Sequence, residues 1–121
     1  MKSIAFMVTT APFSNLTTTA IQIIESALSQ HIPVVGVFFY QDGVLNANKN
    51  IVIASDEYQA LQQWKRLYTT YNLPLHLCFS AAEKRGLSDE VKLHNIDESF
   101  TISGLGELVE LSCKAGNVVQ L

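Results

Sequence analysis

No stretch of this 121-residue chain approaches the ~20 consecutive apolar residues that span a bilayer. The opening MKSIAFMVTTAPF has one lysine and an apolar run too short for a secretory leader, and it reads instead as a first strand. There is no block of like charges, and the formal net charge is only −3. The chain therefore lacks the electrostatic footprint of a nucleic-acid or anionic-membrane binder. It holds two cysteines, too few for a disulfide scaffold, and with a cytosolic, reducing address expected they read as free thiols. His31, His76 and His94 are scattered without metal-ligand spacing. Neither GxGxxG nor GxxxxGK[ST] occurs, which argues against a dinucleotide or P-loop site. SGLG at 103–106 is too short to mark phosphate binding, and its glycines suit a close backbone approach or a helix start. No repeat, linker or low-complexity tract is present.

What remains suits one domain over residues 1–121, 48% hydrophobic and 16% charged. Mean hydropathy is slightly positive. That leaves apolar surface after a small core is filled, and subunit contact is its usual use.

The apolar pattern predicts alternating strands and helices. Residues 3–9 read as a strand, and Leu16, Ala20, Ile23, Ile24, Ala27 and Leu28 place a helix over 15–30. VVGVFFY, 34–40, is a continuous apolar run, as in a strand covered on both faces. Residues 41–55 read as a long connection with a partly buried or interfacial end, and the apolar part of 44–54 as an exposed docking or subunit-contact surface. Ser55-Asp56 then caps a helix whose buried face carries Tyr58, Leu61, Trp64, Tyr68 and Tyr71. LPLHLC, 73–78, is a third strand and 79–86 a short helix ended by Gly86. Residues 87–99 read as a polar loop in which Asp89, Glu90, Asp97 and Glu98 are solvated or recruit a basic partner. A short strand at 100–103, a helix from Gly104 to about Ser112 and a strand at 118–121 complete the series. This alternation predicts an α/β three-layer sandwich with a mainly parallel sheet of about five strands. Ligand and catalytic groups in such folds gather beyond the carboxyl ends of the strands, here segments 10–15, 41–48, 78–80 and 103–106.

Cys78 is the chemically interesting member of that set. It stands where an apolar strand gives way to a helix. First-turn amides lack partners within the helix and carry partial positive charge, so they favour a thiolate or a persulfide anion over the protonated form. Ser80 adds a hydroxyl, whereas Lys84 and Arg85 lie nearly two turns on and act at long range at best. The competing reading is a passive core cysteine, since free cysteine is among the most buried residue types. Cys113, at the far end of the last helix, is expected well beyond the ~7 Å Cα limit for a disulfide with Cys78, as a packed or inert thiol. His76 alternates onto the same face as Cys78. It reads as a satisfied core or interface histidine rather than as a Cys–His pair.

Five segments carry a resemblance: FFYQDGVLNAN (38–48), ASDE (54–57), LPLHLCFSAAEKRG (73–86), FTISGLGEL (100–108) and VVQ (118–120). In these the chain resembles the TusD/DsrE family of sulfur-relay proteins, in its TusD-type branch. The resemblance implies a DsrE-like fold and a heterohexamer with TusB-like and TusC-like subunits. It further implies a persulfide-carrying cysteine at Cys78, loaded by a TusA-like donor and unloaded to a TusE-like acceptor. The pathway it implies ends in 2-thiolation of tRNA wobble uridine, with no metal or organic cofactor. A DsrE-type role in sulfur oxidation and a non-catalytic assembly role are the alternatives.

Overall fold

The computed structural model describes residues 3–87 and 96–121. Along the chain run β1 (Ile4–Val8), α1 (Asn15–Ser29), β2 (Val34–Phe39), a 3₁₀ turn (Gln41–Ala47), α2 (Ala60–Tyr71), β3 (Leu75–Cys78), α3 (Phe79–Lys84), β4 (Thr101–Ser103), α4 (Leu105–Lys114) and β5 (Asn117–Gln120). The five strands form one sheet in the order β4-β3-β2-β1-β5, and every pair is parallel.

This order fixes the layers. From β1 to β4 the chain steps one strand at a time in one direction. Right-handed crossovers then place the connecting helices on one face. Consistently, Glu25 of α1 takes both guanidinium nitrogens of Arg66 on α2. From β4 to β5 the chain recrosses the whole sheet, so α4 covers the opposite face. There a Cβ on Gly36 would meet the Leu111 side chain at 3.2 Å and His76 at 3.5 Å. The continuous apolar run of β2 is therefore covered on both sides, as expected. Phe39 faces α2 and meets Trp64 edge-on at 4.8 Å, whereas Phe38 faces the α4 layer.

The helices form where the pattern places them, but two buried faces differ. On α1, Thr17, Ala20, Ile21, Ile24 and Ala27 are buried, while Leu16 and Ile23 are exposed. Thr17 can turn inward because its hydroxyl donates to the Ala11 carbonyl at 2.5 Å and pairs with Thr10 at 2.6 Å. On α2 the buried residues are Ala60, Trp64 and Leu67, with Tyr68 outward and Tyr58 ahead of the helix. Ser55-Asp56 does not cap this helix, which begins at Ala60 with Gln59 as its N-cap. The Gln59 amide donates to the carbonyls of Ile53, Ala54 and Glu57 and ties the preceding residues into a turn.

The 3₁₀ turn is the main departure from the expected loop. Val44, Asn46 and Ala47 are buried in it, so the apolar part of 44–54 is not one exposed surface. Only its far end is open, and Val52 is 93% exposed. Asn46 organises the turn. Its amide nitrogen donates to the Thr10 carbonyl at 2.9 Å and the Gly43 carbonyl at 2.8 Å, and its oxygen accepts from the Trp64 indole at 3.0 Å. One side chain thus ties the loop after β1, the turn after β2 and helix α2 together. Asn46→Ala strands a buried indole donor and two carbonyls, and leaving buried groups unpaired costs about 1–3 kcal/mol each before relaxation. The expected net loss is about 3 kcal/mol, read as a fall of roughly 10 °C in Tm by thermal unfolding.

Candidate functional site

The carboxyl edge of the sheet gathers β2, β3, β4 and the 3₁₀ turn. Cys78 is both the last residue of β3 and the N-cap of α3, with extended backbone (φ −65°, ψ 120°). Helix α3 is short and firmly stopped. The Gly86 N–H donates to the Glu83 carbonyl at 3.1 Å and the Leu87 N–H to the Ala82 carbonyl at 3.0 Å. Gly86 supplies the left-handed φ of +73° that this paired cap needs, as its sequence position predicts.

The strand-to-helix junction is where the sequence puts it, but the sulfur is held differently. Cys78 makes no side-chain bond to the α3 amides, and its sulfur lies 3.8 Å from Ser80 Oγ. The reason is directional. Strand alternation aims the Cys78 side chain across the sheet toward the α4 layer, whereas the free amides of α3 point along that helix axis. The residue is 1% exposed.

Beside it lies a hollow of about 220 Å³ lined by Tyr40, Gln41, Ser80, Ala81, Lys84 and Arg85. Lys84 and Arg85, set aside on sequence distance, therefore share a wall with Ser80. Folding brings the end of β2 against α3. Arg85 is clamped there by Asp42, with Nη2 at 2.9 Å and Nε at 3.1 Å from the same carboxylate oxygen, and it also donates to the Ala81 carbonyl at 3.0 Å. Gln41 adopts a left-handed φ of +51° as the chain turns out of β2. Sequence reasoning did not single out Tyr40, Gln41 or Asp42. The available signal was a Gln-Asp-Gly triplet directly after an apolar strand.

His76 lies two residues before Cys78 on the same face. It is half-buried, with Nδ1 at 3.2 Å from Ser103 Oγ and Nε2 at 3.5 Å from Glu107 Oε1. It is a partnered histidine, as expected. Ser103 is also the register partner of Cys78 across β3 and β4. Burial holds the His76 pKa below its ordinary value, a shift partly opposed by the negative charge of Glu107 and reinforced by Lys114.

One other expectation is corrected, and another is narrowed. Asp97 is buried rather than solvated, and it accepts from the Ser99 N–H at 3.0 Å and the Ser99 hydroxyl at 2.7 Å, with Lys65 at 3.4 Å. Burial alone would raise its pKa, but the two Ser99 bonds and the charge of Lys65 outweigh that and hold it low. Asp89, Glu90 and His94 lie outside the described residues, as does most of the 87–99 loop. Cys113 is exposed on α4 rather than packed, and both cysteines are free thiols. Among the described residues, no set of three His, Cys, Asp or Glu side chains is placed to hold a metal ion. No described helix is long and apolar enough to cross a membrane.

A second hollow, of about 190 Å³, lies between Pro12–Asn15 and the stretch Ile51–Tyr58. Exposed Phe13 and Val52 belong to its lining.

Comparison with known proteins agrees with this architecture. A search of solved structures finds the crystal structure of the ychN protein from E. coli. It superposes with a TM-score of 0.82 over 100% of both chains at 21% identity, a likeness of fold. The sulfurtransferase TusD of Salmonella newport is 37% identical over 124 aligned residues, covering 96% of this chain and 97% of that protein. The sulfurtransferase TusD homolog of Haemophilus influenzae is 38% identical over 107 residues, 84% of this chain and 85% of its own length. The family model described as DsrE/DsrF-like matches residues 2–121. With a family match across nearly its whole length and sulfurtransferases among its relatives at this identity, the chain belongs to the DsrE/DsrF-like family.

Proposed function

We propose that this protein is a sulfurtransferase that carries sulfane sulfur as a persulfide on Cys78. The observation that carries the reading is the place of this thiol. It stands at the β3–α3 junction on the carboxyl edge of a parallel sheet, in a chain whose relatives over most of its length are sulfurtransferases.

The chemistry is thiol exchange. The Cys78 thiolate attacks the outer sulfur of a donor persulfide, forming a new S–S bond as the donor's S–S bond breaks and its thiolate leaves. An acceptor thiolate then attacks the terminal sulfur on Cys78 and regenerates the thiolate there. Burial of Cys78 fits this task, because a persulfide shut away from solvent is protected from stray oxidants and thiols. The same burial requires that a partner open the site. The hollow walled by Tyr40, Gln41 and Lys84 reaches Ser80, the sulfur's neighbour, and it is the route we assign to the visiting sulfur. In the finer reading the donor is TusA-like and the acceptor TusE-like. The chain then works in the cytoplasm as one carrier domain in a heterohexamer with TusB-like and TusC-like subunits, and the relay serves 2-thiolation of tRNA wobble uridine. Exposed Phe13 and Val52 beside the second hollow support a chain built to be covered by other subunits.

The test is to expose the folded chain to glutathione persulfide and locate the added sulfur by peptide mass mapping. The increment is expected on Cys78. Sulfur on Cys113 alone would overturn the reading.

A further inference from the structure

The charges that line the hollow beside Ser80 are of one sign. Lys84 and Arg85 are both cationic, and no acidic residue belongs to its described lining. The two cations are not equivalent. Arg85 is committed to the fold: Asp42 accepts from its Nε and Nη2, and the Ala81 carbonyl accepts from its Nη1. Lys84 is exposed in the last turn of α3 and, among the described residues, has no carboxylate within ion-pair distance. Glu83, next to it along α3, is exposed but is not part of the lining, and successive helical residues do not face each other. Ser80 and Lys84 stand four residues apart on α3. That spacing puts them on one face of the helix, roughly 5–6 Å apart at Cβ. Ser80 Oγ lies 3.8 Å from the Cys78 sulfur. The hollow therefore sets an unneutralised positive charge about one helical turn from the hydroxyl that neighbours the reacting sulfur.

We propose that Lys84 is the specificity-determining residue for the sulfur donor, and that it selects a donor carrying a carboxylate close to its persulfide. This inference rests on the persulfide-carrier reading of Cys78. In a protein donor the matching group is an acidic side chain beside the persulfide-bearing cysteine. As the carboxylate settles against Lys84, the persulfide is left facing the Ser80 end of the hollow. A donor with a cation in the same place meets like charge and is turned away, so one residue supplies both attraction and rejection. Arg85 cannot substitute, because Asp42 already neutralises it. As a cation at the C-terminal end of α3, Lys84 also complements the helix dipole. That role concerns stability alone and is blind to the charge of a donor.

The test loads the full chain with small persulfides that differ in the charge of the side group. A Cys113→Ser background removes the exposed second thiol. Glutathione persulfide carries carboxylates, hydroxyethyl persulfide a neutral hydroxyl, and cysteamine persulfide an ammonium. Initial rates are read by intact mass at neutral pH. Each variant is compared with wild type by the ratio of its glutathione rate to its cysteamine rate, so that the donors' intrinsic reactivities cancel. Lys84→Gln should lower this ratio roughly tenfold and Lys84→Glu roughly a hundredfold. Lys84→Arg should preserve it. Lys49→Glu makes the same change of net charge in a separate hollow between the 3₁₀ turn and α2, which shares no lining residue with this one, and should leave the ratio at the wild-type value. Raising NaCl from about 50 mM to about 500 mM should slow glutathione loading in the wild type and barely change it in Lys84→Gln. If Lys84→Glu fails to fold by circular dichroism, the Lys84→Gln ratio and its salt response decide. A wild-type ratio in Lys84→Gln would overturn the inference. Equal slowing of all three donors would also overturn it, because Lys84 would then act on the sulfur they share and not on the carboxylate. Loading that survives Cys78→Ser would instead overturn the carrier reading beneath it.

Discussion

Cys78→Ser is expected to abolish sulfur loading while leaving the chain folded. A serine hydroxyl cannot form the S–S bond on which a persulfide depends, so the loss should be complete rather than graded. The fold should survive because the change removes little volume, and the Ser80 hydroxyl, 3.8 Å from the sulfur, is at hand for the new one. A buried hydroxyl with a partner costs about 1 kcal/mol, small beside the stability of a domain of this size. Cys78→Ala separates the two effects, since it introduces no polar atom and should be equally inactive. Intact mass after persulfide exposure reads the loading, and circular dichroism reads the fold. An increment that persists in either variant would mean that the sulfur travels by another residue. Failure of both variants to fold would mean that the thiol is a core packing group.

Gly43→Ala carries the largest expected effect on stability. A Cβ at this position would lie 2.0 Å from the Val8 carbonyl oxygen and 2.8 Å from its carbon, both backbone atoms. Neither can swing aside, because Val8 ends β1 and its carbonyl already accepts the Tyr40 N–H at 3.0 Å. The substitution must push the 3₁₀ turn off the sheet. That displaces Asn46 from the indole of Trp64 and Asp42 from Arg85, so core and site loosen together. A loss of about 4 kcal/mol or more is expected, enough to unfold a marginal domain near body temperature. Gly106→Ala is the control. Nothing lies within 4 Å of the added carbon, and alanine within a helix stabilises by roughly 0.5–1 kcal/mol relative to glycine. Urea midpoints for the two variants should move in opposite directions. A Gly43→Ala midpoint equal to wild type would show that the close approach to Val8 is not required.

Gly43 also illustrates what a linear reading can and cannot find. Its place after an apolar strand marks a turn, and so the glycine looks like turn chemistry. The constraint that matters is a contact with a carbonyl 35 positions earlier in the chain. Asn46 is similar. Among Asn46, Asn48 and Asn50 it reads as one more loop asparagine, yet it is buried because three polar atoms from separate segments converge on it.

The amino-acid sequence by itself determined the alternation of strands and helices, the parallel sheet, the continuous burial of β2, the Gly86 cap and the placing of Cys78 at a strand-to-helix junction. These follow from periodicity, local backbone preference and chain order, which act over a few residues or one crossover at a time. Only the tertiary structure decided which way the Cys78 sulfur points, that Leu16, Ile23 and Tyr68 stay exposed at the margins of the inward helix faces, and that Asp97 is buried. It also decided that Lys84 and Arg85 wall a hollow with Tyr40, and that Ser103 and Glu107 both meet His76. Each of those depends on groups far apart in the chain meeting at one point. That meeting is set by how the layers pack against one another, and no spacing along the chain encodes it.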